Sequence, residues 1–169
     1  MKKKMNEIYI GLGSNIGDRK RNILHALSML KSQPEIHSNM VSSLYESSPV
    51  GPKQRRFFNA AAKITTTLSP NRLLRSLKSI EKRLGRKKIV RRGPRAIDLD
   101  ILFYGRKKIR TRSLTVPHSE FHRRKFVLRP LKEIAPHFKP PGFSRTISQI
   151  LVKLTDPGQK VRLIRTCRK

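Results

Sequence analysis

The stretch Arg91 to Gly105, RRGPRAIDLDILFYG, carries the residues best suited to chemistry. Asp98 and Asp100 stand two apart inside an apolar run. On a strand both carboxylates leave one face, roughly 6–7 Å apart along the chain. Two carboxylates held side by side away from water repel, and each raises the pKa of the other. A divalent cation relieves that cost, alone or bridged to phosphate oxygens. Just upstream, Arg91, Arg92 and Arg95 offer planar, permanently charged forks that match phosphate. Acid pair and arginines together suit a metal-bound polyphosphate. The same spacing also suits a half-exposed strand whose aspartates simply pair with neighbouring arginines. A second cluster lies in LTVPHSEFHRRKF, Leu114 to Phe126, which holds His118, His122, Arg123, Arg124 and Phe126. A histidine after proline is commonly a turn residue. Beside the aspartate strand it could hydrogen-bond a phosphate without adding fixed charge.

The elements that must position these groups follow from periodicity. Ile97 to Tyr104 reads as a strand bounded by Gly-Pro and Gly-Arg. Ile8 to Leu12 reads as a first strand, followed by GLGSNIGD. The glycines there are spaced GxGxxxG, which is not the dinucleotide fingerprint, and the Walker pattern is absent. They read as turn chemistry, with Asp18 as N-cap of a helix whose apolar face is Ile23, Leu27 and Leu30. Ile36 to Ser47 reads as a second extended stretch, Ser47 to Arg56 as a loop, and Phe57 to Leu68 as a third strand. Ser69-Pro70 opens a helix with the stripe Leu73, Leu77, Ile80 and Leu84, ending at Gly85. After a basic loop comes the aspartate strand. The order βαββαβ predicts an α+β fold with a ferredoxin-like core: a mainly antiparallel sheet with helices packed on one face. A C-terminal extension follows, with a proline-rich connection, a short helix over Ile147 to Leu154 and a strand near Val161 to Ile164. One domain over residues 1–169 is expected.

Composition adds a partner argument. Forty Lys+Arg face ten Asp+Glu, a formal charge of +30. Such a surface attracts polyanions, whether nucleotide, RNA or acidic membrane, and says nothing about fold. A single cysteine, Cys167, excludes a disulfide framework and a cysteine zinc site, and fits a reducing compartment. Early glycines interrupt the N-terminal apolar run too soon for a signal peptide, and no stretch approaches a membrane span. A cytoplasmic protein is expected.

GPRAIDLDIL, LTVPH, the opening GLGSNIGD and the YESSPVGP…FFNAA stretch, in this order-preserving set from about Ile8 to about Pro136, resemble the 6-hydroxymethyl-7,8-dihydropterin pyrophosphokinase family of folate biosynthesis. The pairing of Gly-Pro-Arg-x-x-Asp-Leu-Asp with a later LTVPH is highly specific. The resemblance implies transfer of diphosphate from ATP to the pterin hydroxymethyl group, releasing AMP, with two Mg2+ ions. It implies that Asp98 and Asp100 hold the metals and that Arg95 and Arg86 act on the phosphates, Arg86 from a loop that closes over ATP. His118, Arg124 and Lys88 would contact phosphate, and Glu81, Ile101 and Thr115 would lie near the nucleotide. For the pterin it implies Asn59 at the polar edge, Phe57 and Phe126 as apolar and stacking surface, and groups around Ser47 and Val50. Three positions depart from the pattern. Arg92 stands where an aromatic residue often stacks on the pterin, Lys88 replaces a common arginine, and Ser119 follows the histidine in place of an aromatic residue. A guanidinium also stacks on rings. A monomer is expected, with ATP, the pterin and non-specific polyanions as partners and no membrane.

Two rivals keep other readings open. The βαββαβ order is also that of the RRM module, and IYIGLG resembles its first aromatic strand motif. FFNAAAKI lacks the basic-Gly-aromatic pattern such a sheet needs, however, and RNA binding gives no reason to pair Asp98 with Asp100. The other rival is an inactive or non-pterin phosphotransferase on the same scaffold, distinguished by whether AMP or ADP is made.

Overall fold

The computed structural model describes residues 5–85, 93–155 and 158–165. Arg86, Lys88, Arg91, Arg92 and Cys167 lie outside the described residues. In chain order the elements are β1 (Asn6–Ser14), α1 (Arg19–Lys31), β2 (Ile36–Val41), β3 (Leu44–Ser47), β4 (Phe57–Thr66), α2 (Pro70–Arg83), β5 (Asp98–Tyr104) and β6 (Ile109–Arg110). Then come β7 (Thr115–Val116), a 3-10 turn (Phe121–Arg123), α3 (Lys125–Ile134), α4 (Ile147–Lys153) and β8 (Val161–Arg165). The main sheet runs β5-β1-β4-β3-β8, with β2 also on β4, and all pairings are antiparallel. That is the ferredoxin-like order with one strand added by the C-terminal extension.

The caps act as their sequences imply. Asp18 accepts the Arg21 backbone N–H at 3.0 Å and starts α1. Pro70 opens α2, and Gly85, at φ +84°, follows its end. Ile36 to Ser47 is not one continuous strand. At Ser42 and Ser43 side chains take over part of the ladder: the Ser42 N–H still donates to the Ala61 carbonyl at 2.8 Å, but Ser42 Oγ accepts the Ala61 N–H at 2.9 Å, and Ser43 donates to the Glu133 carboxylate from both N and Oγ.

The sheet separates two apolar layers. Ile8, Ile10, Leu12, Ala60, Ala62, Ile64 and Leu99 pack against Ile23, Leu30, Leu73, Leu77 and Ile80 of α1 and α2. Tyr9, Ala61, Leu102 and Phe103 pack on the opposite face against Leu128, Leu131 and Ile134 of α3 and Ile147 and Ile150 of α4. The two helices of the ferredoxin-like core therefore share one face, as expected, and α3 and α4 cover the other. The helix α3 is not expected from the sequence and has Pro130 inside it; proline removes one helical N–H, and packing of the 128, 131 and 134 stripe outweighs that loss. The same covering removes the RRM reading. Tyr9 and Phe103, on the face an RNA-binding sheet displays, are buried beneath Phe138 and Phe121.

A β-bulge in β5 decides which of its side chains meet which layer. Ile10 pairs with Ile101 but Tyr9 pairs with Phe103, so Leu102 is the extra residue. Leu102 and Phe103 consequently share a face, while Ile101 and Tyr104 point to the α1/α2 layer. Ahead of the bulge strict alternation holds, and it puts Asp98 and Asp100 on the face of α3.

Candidate active site

Beside α3 the second face opens into a cavity of about 370 Å³. Its floor is β1, β4 and β5. Gly11 and Gly13 are strand residues and not turn residues as their spacing implied, and they face this cavity. A Cβ on Gly11 would lie 3.4 Å from Leu102, and one on Gly13 would lie 3.4 Å from Asn59 Oδ1. Bare backbone here keeps the floor low. Of the GLGSNIGD glycines only Gly17, at φ +61°, meets a turn requirement.

The structure brings together Ser47, Val50, Phe57, Asn59, Arg95, Asp98, Asp100, His118, Arg124 and Phe126 around that cavity. They arrive from β3, the loop after it, β4, the segment leading into β5, β5 itself, the turn after β7 and the start of α3, up to 79 positions apart in sequence. Glu81, Ile101 and Thr115 are not among the lining residues. Ile101 belongs to the α1/α2 layer and Thr115 is exposed on β7. Glu81, 2% exposed on α2, accepts the Leu99 backbone N–H at 2.8 Å and pairs with Lys78 at 2.9 Å. Leu99 lies between the two aspartates, so Glu81 braces their strand from the opposite face.

Two further residues fix the Asp98 end of the acid pair, one directly and one through its neighbour. Arg95 donates to Asp98 Oδ2 at 2.6 Å. Asn15, 1% exposed, accepts the Arg95 backbone N–H at 2.8 Å and donates its own N–H to the Arg95 carbonyl at 3.1 Å. Its amide nitrogen reaches Gln54 Oε1 at 2.9 Å and the Arg55 carbonyl. One buried asparagine thus ties the exit of β1 to the arginine segment and to the loop before β4. On the other side Asn59 donates to Ser47 Oγ at 2.9 Å.

Burial, and then the Asp98 charge, push the Asp100 carboxyl up to about 6; Glu81 adds to the rise, while Lys78 and Arg124 oppose it. Burial first and Arg124 second lower the His118 imidazole below its ordinary value, with Glu120 and Asp98 opposing. His118 Nδ1 accepts the Glu120 backbone N–H at 3.1 Å. The neutral ring therefore carries its proton on Nε2, which makes that nitrogen the donor. Among the described residues no group of three or more His, Cys, Asp or Glu side chains gathers. Two carboxylates plus ligand oxygens are the donor set available, which is the usual environment of Mg2+ and not of an all-protein metal cage.

The sequence reading missed Gly11, Gly13, Asn15, Gln54, Arg123 and Gln159 as cavity or supporting residues. The two glycines did leave a signal, a period of two against Ile8, Ile10 and Leu12. Gln54 and Gln159 left none, because their placement depends on distant pairings.

Such an acid pair, guanidinium groups and a neutral imidazole around one cavity suit a nucleotide-dependent phosphotransferase on an α+β sheet. Comparison narrows the class. The sequence model of the 7,8-dihydro-6-hydroxymethylpterin-pyrophosphokinase family matches residues 9–136, and the chain belongs to that family. It is 44% identical over 147 residues to the 2-amino-4-hydroxy-6-hydroxymethyldihydropteridine pyrophosphokinase of Bacillus subtilis, covering 86% of this chain and 88% of that protein. It is 45% identical over 150 residues to the folic acid synthesis protein fol1 of Pneumocystis carinii and 40% identical over 162 to the bifunctional protein FolKE of Lactococcus lactis. Those matches take in 88% and 95% of this chain but only 20% and 46% of the relatives' own lengths. The fold is similar to that of a Plasmodium falciparum HPPK-DHPS structure, with a TM-score of 0.70 and 16% identity over 90% of this chain and 43% of that one.

Proposed function

We propose that this chain transfers the terminal diphosphate of ATP to the hydroxymethyl group of 6-hydroxymethyl-7,8-dihydropterin and releases AMP. The observation carrying the reading is the convergence of Asp98, Asp100, Arg95, His118 and Arg124 on one cavity that Asn59, Phe57 and Phe126 also line. In the reaction the hydroxymethyl oxygen bonds to the β-phosphorus, the bond from that phosphorus to the α–β bridging oxygen breaks, and AMP leaves with the electron pair. Asp98 and Asp100 would hold Mg2+, two ions in this reading, which when bound neutralises charge on the triphosphate. Their mutual repulsion fits that role, since both gain from an added cation.

The residues do the positioning. Arg95, held by Asp98 and Asn15, presents the rest of its fork toward phosphate. Arg124 and the His118 Nε2–H supply charge and a hydrogen-bond donor that follow the charge developing on the transferred group. No side chain is assigned the hydroxyl proton, because such a transfer needs alignment and electrostatics more than a strong base. Arg86, Lys88 and Arg92 belong to this reading through the family resemblance, Arg86 as a catalytic contact and Arg92 beside the pterin. A single-domain monomer acting in the cytoplasm completes the proposal.

The test is product analysis. The purified chain with ATP, Mg2+ and the hydroxymethyl-dihydropterin is expected to yield AMP and the pterin diphosphate in equal amounts. ADP would establish an ordinary kinase, and no turnover would establish an inactive relative.

A further inference from the structure

We infer that Gln159, delivered from the C-terminal extension, is a positioning residue that sets the conformation of Arg124 and through it the phosphate and pterin contacts of the α3 first turn. The inference rests on the proposed function and concerns a residue outside the 9–136 stretch of the family match. The helix α3 opens at Arg124, which has extended backbone at φ −110° and ψ 100° and makes no side-chain cap. Its first N–H groups therefore need an acceptor from elsewhere. Gln159 Oε1 accepts the Lys125 N–H at 2.9 Å, and Gln159 Nε2 donates to the Arg123 carbonyl at 3.0 Å.

Those are the two peptide groups on either side of Arg124. One planar amide thus holds both, and with them the dihedrals of the residue between. Only a side chain with a donor and an acceptor on one terminus does this, so glutamine fits where glutamate and leucine do not. The Arg124 guanidinium lies 5.9 Å from the Phe126 ring centre, so turning Arg124 also disturbs the aromatic wall. The opposite wall is tied to the same segment. Lys160 and Ser48 exchange two hydrogen bonds, N–H to carbonyl at 3.0 Å and N–H to Oγ at 3.2 Å. Residues 158–160 are a strut between the two sides of the cavity, and Gln159 is its active end.

Kinetics and Mg-ATP calorimetry on Gln159→Ala test this. Both KM values and the ATP Kd are expected to rise about five- to tenfold, the size of a lost helix cap, with a smaller change in kcat. Gln159→Glu keeps the acceptor for Lys125 and is expected to fall between; it carries the test if the alanine variant does not fold. Arg162→Ala removes the β8 contact to Glu46 but neither hydrogen bond of Gln159, and is expected to leave these constants within twofold. Unchanged KM and Kd in Gln159→Ala, or the same rise in Arg162→Ala, overturns the inference. If the wild-type chain makes no AMP, the proposed function fails separately and the ATP Kd still decides the role of Gln159.

Discussion

Asp100 shows how a single residue can work against the fold it belongs to. Its carboxyl is raised to about 6 by burial and by Asp98, against an ordinary value of 3.8. The folded protein therefore binds more protons than the unfolded chain between those values, and stability falls as pH rises through that window. Above about pH 6 the full repulsion is present. Asp100→Asn is accordingly expected to raise the melting temperature of the chelator-treated protein at pH 7.5, with the gain shrinking by pH 5. The same change should cut turnover about a thousandfold by removing a proposed metal ligand. A variant that melts lower at pH 7.5, or keeps near-full turnover, would remove the carboxylate pair from the proposed mechanism.

At the scale of elements, the corresponding device is Glu46, which sits on β3 facing away from the cavity. It is 6% exposed and meets Arg19 of α1 at 3.1 Å, Arg56 of the loop at 3.6 Å and Arg162 of β8 at 2.7 Å. Arg19 also lies over the Phe58 ring at 3.8 Å. Burial by itself would raise the Glu46 carboxyl, but hydrogen bonds from Arg162 and Arg19 outweigh it and hold it below the usual range. One carboxylate thus joins a helix start, a cavity loop and the added strand. Glu46→Gln is expected to cost about 3 kcal/mol in denaturant unfolding at pH 7, because three guanidinium groups lose their shared partner. For a depressed carboxylate this stabilisation is present above the unfolded pKa and is lost as pH falls through the folded one. The two proteins should therefore unfold alike in strong acid, and an undiminished gap there would mean the loss is one of packing.

Across the whole molecule the charge of +30 is not explained by the site. Several of the ten carboxylates are already engaged, Glu7 with Lys63, Glu35 with Arg72, Glu46 with its arginines, Glu81 with Lys78 and Asp98 with Arg95. They are poorly placed to offset the exposed lysines and arginines. Non-specific RNA binding is expected in filter assays, with log affinity falling linearly against log salt. AMP formation should persist at salt that strips the RNA away. RNA binding that resists salt, or that competes with the pterin, would revive a nucleic-acid role. No helix among the described residues is long and apolar enough to cross a membrane.

Local sequence was sufficient for much of this. Asp18 and Pro70 mark their helices, Leu73, Leu77 and Ile80 form the expected stripe, and the two-residue spacing of Asp98 and Asp100 put both on one face. These are effects of groups a few positions apart, and a chain carries them wherever it folds. The tertiary structure alone decided that Leu102 bulges, that α3 forms across Pro130, and that Gln159 reaches the two peptide groups flanking Arg124. Asn15 meets Arg95 across 80 positions and Ser48 meets Lys160 across 112. Contacts of that span have no local signature, because they exist only once the sheet has closed the intervening chain and made its entropy cost worthwhile.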